Sequence, residues 1–332
     1  MTSPRIRSAT DKARQALIDV AAGHDRVRAV VARVGGELSN AAERAAAVAE
    51  ARRAGVPDAY GGAYFGEGRD AEGDREGRSG YARYDRIASN ADIAGWLLWR
   101  NFRVETALDV GCATGYLVEV LRERGIDAQG CDLSPYAIDH AAPGAVGHVR
   151  VANLFAGLPW ADGNFDLVTT LEILEHLPPD RVPDALAELA RVCGGYLYAT
   201  IPSFGPNRSG PDGHFEGKVR PERVDHYWSL GSDYRGPVPE PDLAVDAEGE
   251  LVEGHLCIAS FEWWTEQFAA AGFTRCTDVE ERLYADIEPA ELAPFWNLYV
   301  FRLAGAEPDV VDQREPGRSL AELGLHHPLL GN

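Results

Sequence analysis

The sequence predicts an α/β fold, a parallel sheet flanked on both faces by helices. Two observations carry that expectation. From Thr106 onward, apolar runs of strand length alternate with amphipathic stretches of helix length, the pattern of crossover βαβ units. The chain of 332 residues, 45% apolar and 25% charged, can also bury one sizeable core with additions around it. No stretch approaches the run of about 20 apolar residues that a membrane span needs. The start, MTSPRIRSATDKAR, has no apolar run behind its basic residues, so a cytoplasmic protein is expected.

Residues 1–57 differ in kind. Ala13, Leu17, Val20 and Ala21 have helical spacing, as do Val27, Val30, Val31 and Val34, and an Ala/Glu/Arg run follows from Leu38 to Arg53. Gly23, Gly35, Gly36 and Pro57 punctuate three short helices, which form an appendage that packs on the main domain or contacts a pathway enzyme. Residues 61–80 are Gly-rich, charged and aperiodic, hence a long loop. Helical spacing returns from Tyr81 to Arg100.

The alternation then runs in order. TALDV precedes a helix over Leu117–Arg124, AQGCDL one over Pro135–Ala141, and HVRVAN a third strand. FDLVTTL precedes a helix over Asp180–Val192, and GGYLYATIP is a fifth strand. Residues 203–255 are rich in Gly, Pro and charge and read as a substrate-facing insertion. A helix over Phe261–Ala271, a strand over Thr274–Leu283 and a strand over Leu298–Leu303 complete a main domain of residues 58–304, with a tail at 305–332.

Net charge is −20, from 32 basic and 52 acidic residues. A polyanion such as nucleic acid is therefore not the expected partner, because its binding rests on cationic side chains. The excess is uneven, +4 over residues 1–57 and −24 over 58–332. Five scattered cysteines without CxxC spacing read as free thiols.

The sharpest local signal is Leu108-Asp109-Val110-Gly111-Cys112-Ala113-Thr114-Gly115-Tyr116-Leu117, a strand, a glycine turn and a helix. Glycines admit a ligand close to the backbone, and the helix start offers free N–H groups. The GxxxG spacing is not the GxGxxG of dinucleotide sites, and Asp109 would repel phosphates. It suits an ammonium group instead. Asp132 ends the second strand, placed for both hydroxyls of a ribose, and Asn153 and Leu154 could offer an adenine edge and face.

These motifs resemble those of class I S-adenosylmethionine (SAM) dependent methyltransferases, in LDVGCATG, in Asp132 and in FDLVTTLEILEHLPP. The resemblance covers roughly residues 80–303 and implies a Rossmann-like, seven-stranded, mostly parallel sheet with its last strand antiparallel. It implies SAM as cofactor and S-adenosylhomocysteine as product. The implied cofactor residues are Tyr64, Tyr84, Asp109, Gly111, Cys112, Gly115, Tyr116, Asp132, Leu133, Asn153, Leu154, Leu171 and Glu172. Ala113 departs from the family's usual glycine.

Glu172-Ile-Leu-Glu175-His176 resembles the ExxEH with which ubiquinone-pathway and small-RNA O-methyltransferases hold a divalent cation. The same string is widespread in metal-free relatives. Because no fourth ligand is set by spacing, with His226 and His255 as possible completions, no metal is expected. For the acceptor, seven acids against one arginine between Asp233 and Glu253, and six against one over Asp278–Glu291, suggest a cradle for a small cationic substrate. Such a cradle keeps an amine protonated, so a proton acceptor is needed. Asp225-His226 and His255 are the candidates.

The basic first segment, long insertion and acidic body are similar in layout to aminoglycoside N-methyltransferases of gentamicin biosynthesis, which implies methylation of an amino-sugar amine. Two other readings stand beside this one: a small-molecule O-methyltransferase, and a SAM-binding partner protein without turnover.

Overall fold

A computed structural model describes residues 60, 64–65, 84–210, 235–237, 242–245, 251–287 and 297–306. The proposed appendage over 1–57, Asp225 and His226, most of the 61–80 loop, much of the insertion and nearly all of the tail lie outside these residues.

After α1 (Ala91–Asn101) the chain alternates as its periodicity predicts: β1 (Thr106–Val110), α2 (Tyr116–Glu123), β2 (Asp127–Asp132), α3 (Pro135–Asp139), β3 (Val149–Val151) and β4 (Phe165–Leu171). Next come α4 (Val182–Val192), β5 (Cys193–Thr200) and β6 (Ser203–Phe204). β7 (Asp242–Val245) and β8 (Leu251–His255) form an antiparallel pair. β9 (Ala259–Ser260), α5 (Phe261–Ala270), β10 (Phe273–Arg275), α6 (Thr277–Ile287) and β11 (Leu298–Leu303) finish the described chain.

Seven strands form one sheet in the order β10-β11-β5-β4-β1-β2-β3. β11 runs antiparallel to both neighbours and the remaining pairings are parallel, the Rossmann-like arrangement of class I methyltransferases. Central strands are apolar on both faces because both are covered. Ala107, Leu167, Tyr198 and Val300 face α1, α2 and α6. Leu108, Val168, Leu197 and Phe301 face α4 and α5. The order reverses between β1 and β4, and in such sheets ligands bind at the carboxyl ends of the strands beside that reversal. No helix among the described residues is long and apolar enough to cross a membrane.

Two element boundaries are corrected. The strand expected over Thr274–Leu283 is only β10, and Thr277–Ile287 is helix. Val279, Leu283 and Ile287, at four-residue spacing, are its buried stripe, a helical period that the neighbouring β-branched residues obscure. The helix expected from Tyr81 begins at Ala91, after turns at 85–90.

Candidate functional site

The glycine turn sits where β1 gives way to α2. Gly111 and Gly115 both have φ of 81°, a left-handed backbone that costs glycine nothing. The N–H groups of Gly111 and Cys112 both donate to the Cys131 carbonyl, tying the turn to β2. Ala113, where the family's usual residue is glycine, takes φ 47°, and its N–H donates to Asp132 Oδ2 at 2.8 Å. Asp132 Oδ1 accepts from Ser134 N at 2.8 Å, so both carboxylate oxygens are oriented by backbone donors. Burial nonetheless raises its pKa.

Asp109 lies beneath the turn, almost wholly buried, and accepts from Thr169 Oγ1 at 2.7 Å. Burial pushes its pKa up to about 7, the Thr169 bond pulls it down, and the nearby Asp132 charge adds a further rise. The turn thus presents one carboxylate poised near neutrality and a second set at the end of β2. Glycine without a side chain, an acid for an ammonium and an acid for a diol fit the aminoacyl and ribose parts of SAM.

Aromatic rings gather beside it. Tyr64 meets Tyr60 edge-on at 5.0 Å and Phe65 at 5.1 Å. Phe65 meets Tyr84 at 5.4 Å, and Tyr84 lies 6.0 Å from Tyr116 at the start of α2. Ser134 Oγ donates to the Tyr60 carbonyl at 2.6 Å, which fixes this cluster to the end of β2. Asn153, two residues beyond the end of β3 rather than on it, closes a short turn by accepting from Phe155 N, and Leu154 follows it.

The Glu172-to-His176 segment leaves the carboxyl end of β4 and packs on the turn: a side chain at Gly111 would collide with Ile173. Glu172 has φ 55°, a strained value for a residue with a Cβ, and its N–H donates to Thr200 O at 3.0 Å. Three side chains converge next to it. Potential ligand atoms of Glu175, His176 and His255 all lie within 4.8 Å of one another. Glu175 is fully buried, His255 almost so, and the two imidazoles meet at 5.0 Å between centroids. His176 Nδ1 donates to the Gly254 carbonyl at 2.9 Å, so the neutral ring carries its lone pair on Nε2, 3.8 Å from Glu175 Oε1. Glu172 is outside this trio despite its place in the motif.

Residues 108–199 match the family described as "Methyltransferase domain". This stretch, from β1 to β5, is similar to a methyltransferase domain. A ubiquinone biosynthesis O-methyltransferase from Chromobacterium violaceum is 33% identical over 128 residues, covering 36% of this chain and 50% of that protein. One from Methylococcus capsulatus is 37% identical over 105 residues, covering 29% and 43%. The chain thus spans about half the length of these relatives or less. Among solved structures, the CcbJ methyltransferase from Streptomyces caelestis superposes over 65% of this chain and 95% of its own, with TM-score 0.43 and 15% identity.

The fold brings together Asp109, Gly111, Cys112, Gly115, Tyr116 and Asp132 around one turn, with Tyr64 and Tyr84 beside it. Leu133 is exposed, and Leu171 and Glu172 are half-buried at the end of β4. His255 joins Glu175 and His176. Sequence reasoning missed Thr169, which the sheet register sets opposite Asp109, and missed Tyr60, Phe65 and Ser134. Of the acids over Asp278–Glu291, Glu280 pairs with Arg275 and Asp286 with Arg100, so those two serve packing.

Proposed function

We propose that this chain transfers the SAM methyl group to a hydroxyl of a small molecule, with a divalent cation held by Glu175, His176 and His255 beside the acceptor. The convergence of those three side chains carries the reading. A buried carboxylate and two imidazoles are oxygen and nitrogen donors of the kind divalent cations take, and the His176–Gly254 bond leaves Nε2 with the lone pair for coordination. Spacing alone supplies no ligand beyond the ExxEH, the ground for expecting no metal. The fold supplies His255. The partial likeness to O-methyltransferases supports the hydroxyl.

In this reading Asp109 receives the ammonium of SAM, Asp132 the ribose hydroxyls, and Asn153 and Leu154 the adenine. The aromatic cluster shields the reacting end from water. Transfer is an in-line displacement: the carbon–oxygen bond forms as the carbon–sulfur bond breaks, the thioether leaves, and the acceptor's proton passes to solvent water. A cation held by Glu175, His176 and His255 would lower the pKa of the acceptor hydroxyl, so that the nucleophile would be available near neutral pH. Glu175 and the two histidines orient the oxygen toward the methyl group.

A second reading, methylation of an amino-sugar amine, is supported by the −24 charge of residues 58–332 and by His255 lying beside Glu175, a proton acceptor with an anchoring carboxylate. Mn²⁺ titration of the full chain loaded with S-adenosylhomocysteine, followed by electron paramagnetic resonance, separates the two. One tightly held ion in the wild type and its loss in H255A supports the cation. Absence of binding in the wild type removes it and leaves the imidazole as base.

A further inference from the structure

The first residues of the insertion, 203–210, lie on a buried ion pair on the far side of the last strands. Arg275 and Glu280 are paired by Nε and Nη2 at 2.9 Å each, and Glu280 Oε1 also accepts from Val300 N at 2.9 Å. Arg275 stacks over Tyr299 at 4.7 Å. Two side chains of the strap use this pair: Asn207 Oδ1 accepts from Arg275 Nη2 at 2.7 Å, and Ser209 Oγ donates to Glu280. Asn207 Nδ2 donates to the Tyr284 hydroxyl at 3.2 Å, and Gly210 lies so close to that ring that a Cβ would be 2.5 Å from it.

The same strap backs the segment that carries His255. Ser203 and Phe204 pair in register with Ala259 and Ser260, and Ser203 Oγ accepts from Tyr299 Oη at 2.6 Å. On its other side the segment is held by Cys257 N donating to Glu175 O at 2.9 Å and by Gly254 O accepting from His176. The segment that carries His255 is therefore held at residues 254–257 by the ExxEH turn and at 259–260 by a strap whose own seat is the Arg275–Glu280 pair.

We infer that Asn207 is a positioning residue: by seating the strap on the buried ion pair, it holds His255 against Glu175 and His176. This rests on the proposed role of that trio. Asn207 belongs to neither the trio nor the SAM turn, so its effect should fall on one and spare the other. The test uses the full chain and reads carbethoxylation of His255 by diethylpyrocarbonate, resolved by peptide mass spectrometry, beside the affinity for S-adenosylhomocysteine measured by calorimetry. N207A should raise the His255 modification rate by about threefold or more through local opening, with cofactor affinity unchanged. N207D, which keeps an oxygen for Arg275, should restore the wild-type rate. Should N207A fail to fold, S209A gives the same readout with a smaller increase. Unchanged protection of His255, a parallel loss of cofactor affinity, or N207D behaving as N207A would overturn the inference. Failure of the wild type to bind Mn²⁺ would remove the cation alone, since protection of His255 is read without metal.

Discussion

Acidification should weaken cofactor binding through Asp109. The free site holds this carboxyl with a pKa of about 7 because burial disfavours its charge. An ammonium bound against it requires the charged form, so binding must expel a proton wherever the free site is protonated. The apparent dissociation constant then scales as one plus the ratio of protonated to charged Asp109, and a change from pH 8 to pH 6 weakens binding about tenfold, or about 1.4 kcal/mol. The stability of the free protein moves the opposite way. The folded pKa lies above the ordinary 3.8, so the folded state holds the extra proton between 3.8 and about 7, and stability from this group falls as pH rises through that window. The bound cofactor offsets the loss. Calorimetric titration with S-adenosylhomocysteine at pH 6, 7 and 8, in buffers of different ionisation enthalpy, measures both affinity and protons released. D109N should bind weakly with a flat pH dependence and be the more stable protein at pH 8 without ligand. Flat wild-type affinity across this range, with no proton release at pH 7, would refute the assignment of the ammonium to Asp109.

Two further changes test the surroundings of the site. A113G relieves a left-handed alanine and should stabilise the fold by about 1 kcal/mol in urea denaturation, with the Asp132 bond retained; a loss of stability would show that the alanine is not strained. E280Q leaves the buried Arg275 without its counter-charge and should cost about 3–5 kcal/mol in the same assay, whereas a change under about 1 kcal/mol would make the pair dispensable.

What could be read from the sequence was what is local. The β1 strand, its glycine turn and α2 are contiguous, and Asp132 follows at the end of the next strand, so periodicity and turn chemistry sufficed to find the glycine turn. The alternation of strands and helices likewise led to the correct sheet. His255 meets Glu175 and His176 through long-range backbone bonds, Cys257 to Glu175 and His176 to Gly254, that no spacing encodes. The same holds for Thr169, whose hydroxyl meets Asp109 through sheet register, and for Arg275 with Glu280. The boundary between β10 and α6 was misplaced because Thr274, Thr277 and Val279 favour strand locally, while burial of Val279, Leu283 and Ile287 against the neighbouring elements favours helix. The acid count near the last strands misled in part for a related reason: composition cannot distinguish a carboxylate held in an ion pair from one offered to a substrate.

The proposed activity is methyl transfer from SAM to a hydroxyl with the help of the Glu175, His176 and His255 trio. Its most direct test is transfer of methyl-labelled SAM to a mixed panel of phenols, sugars and amino sugars, run with chelator and again after Mn²⁺ is restored. Label is expected on hydroxyl oxygen, lost with chelator and regained with Mn²⁺. Label confined to amine nitrogen and indifferent to chelator would contradict it.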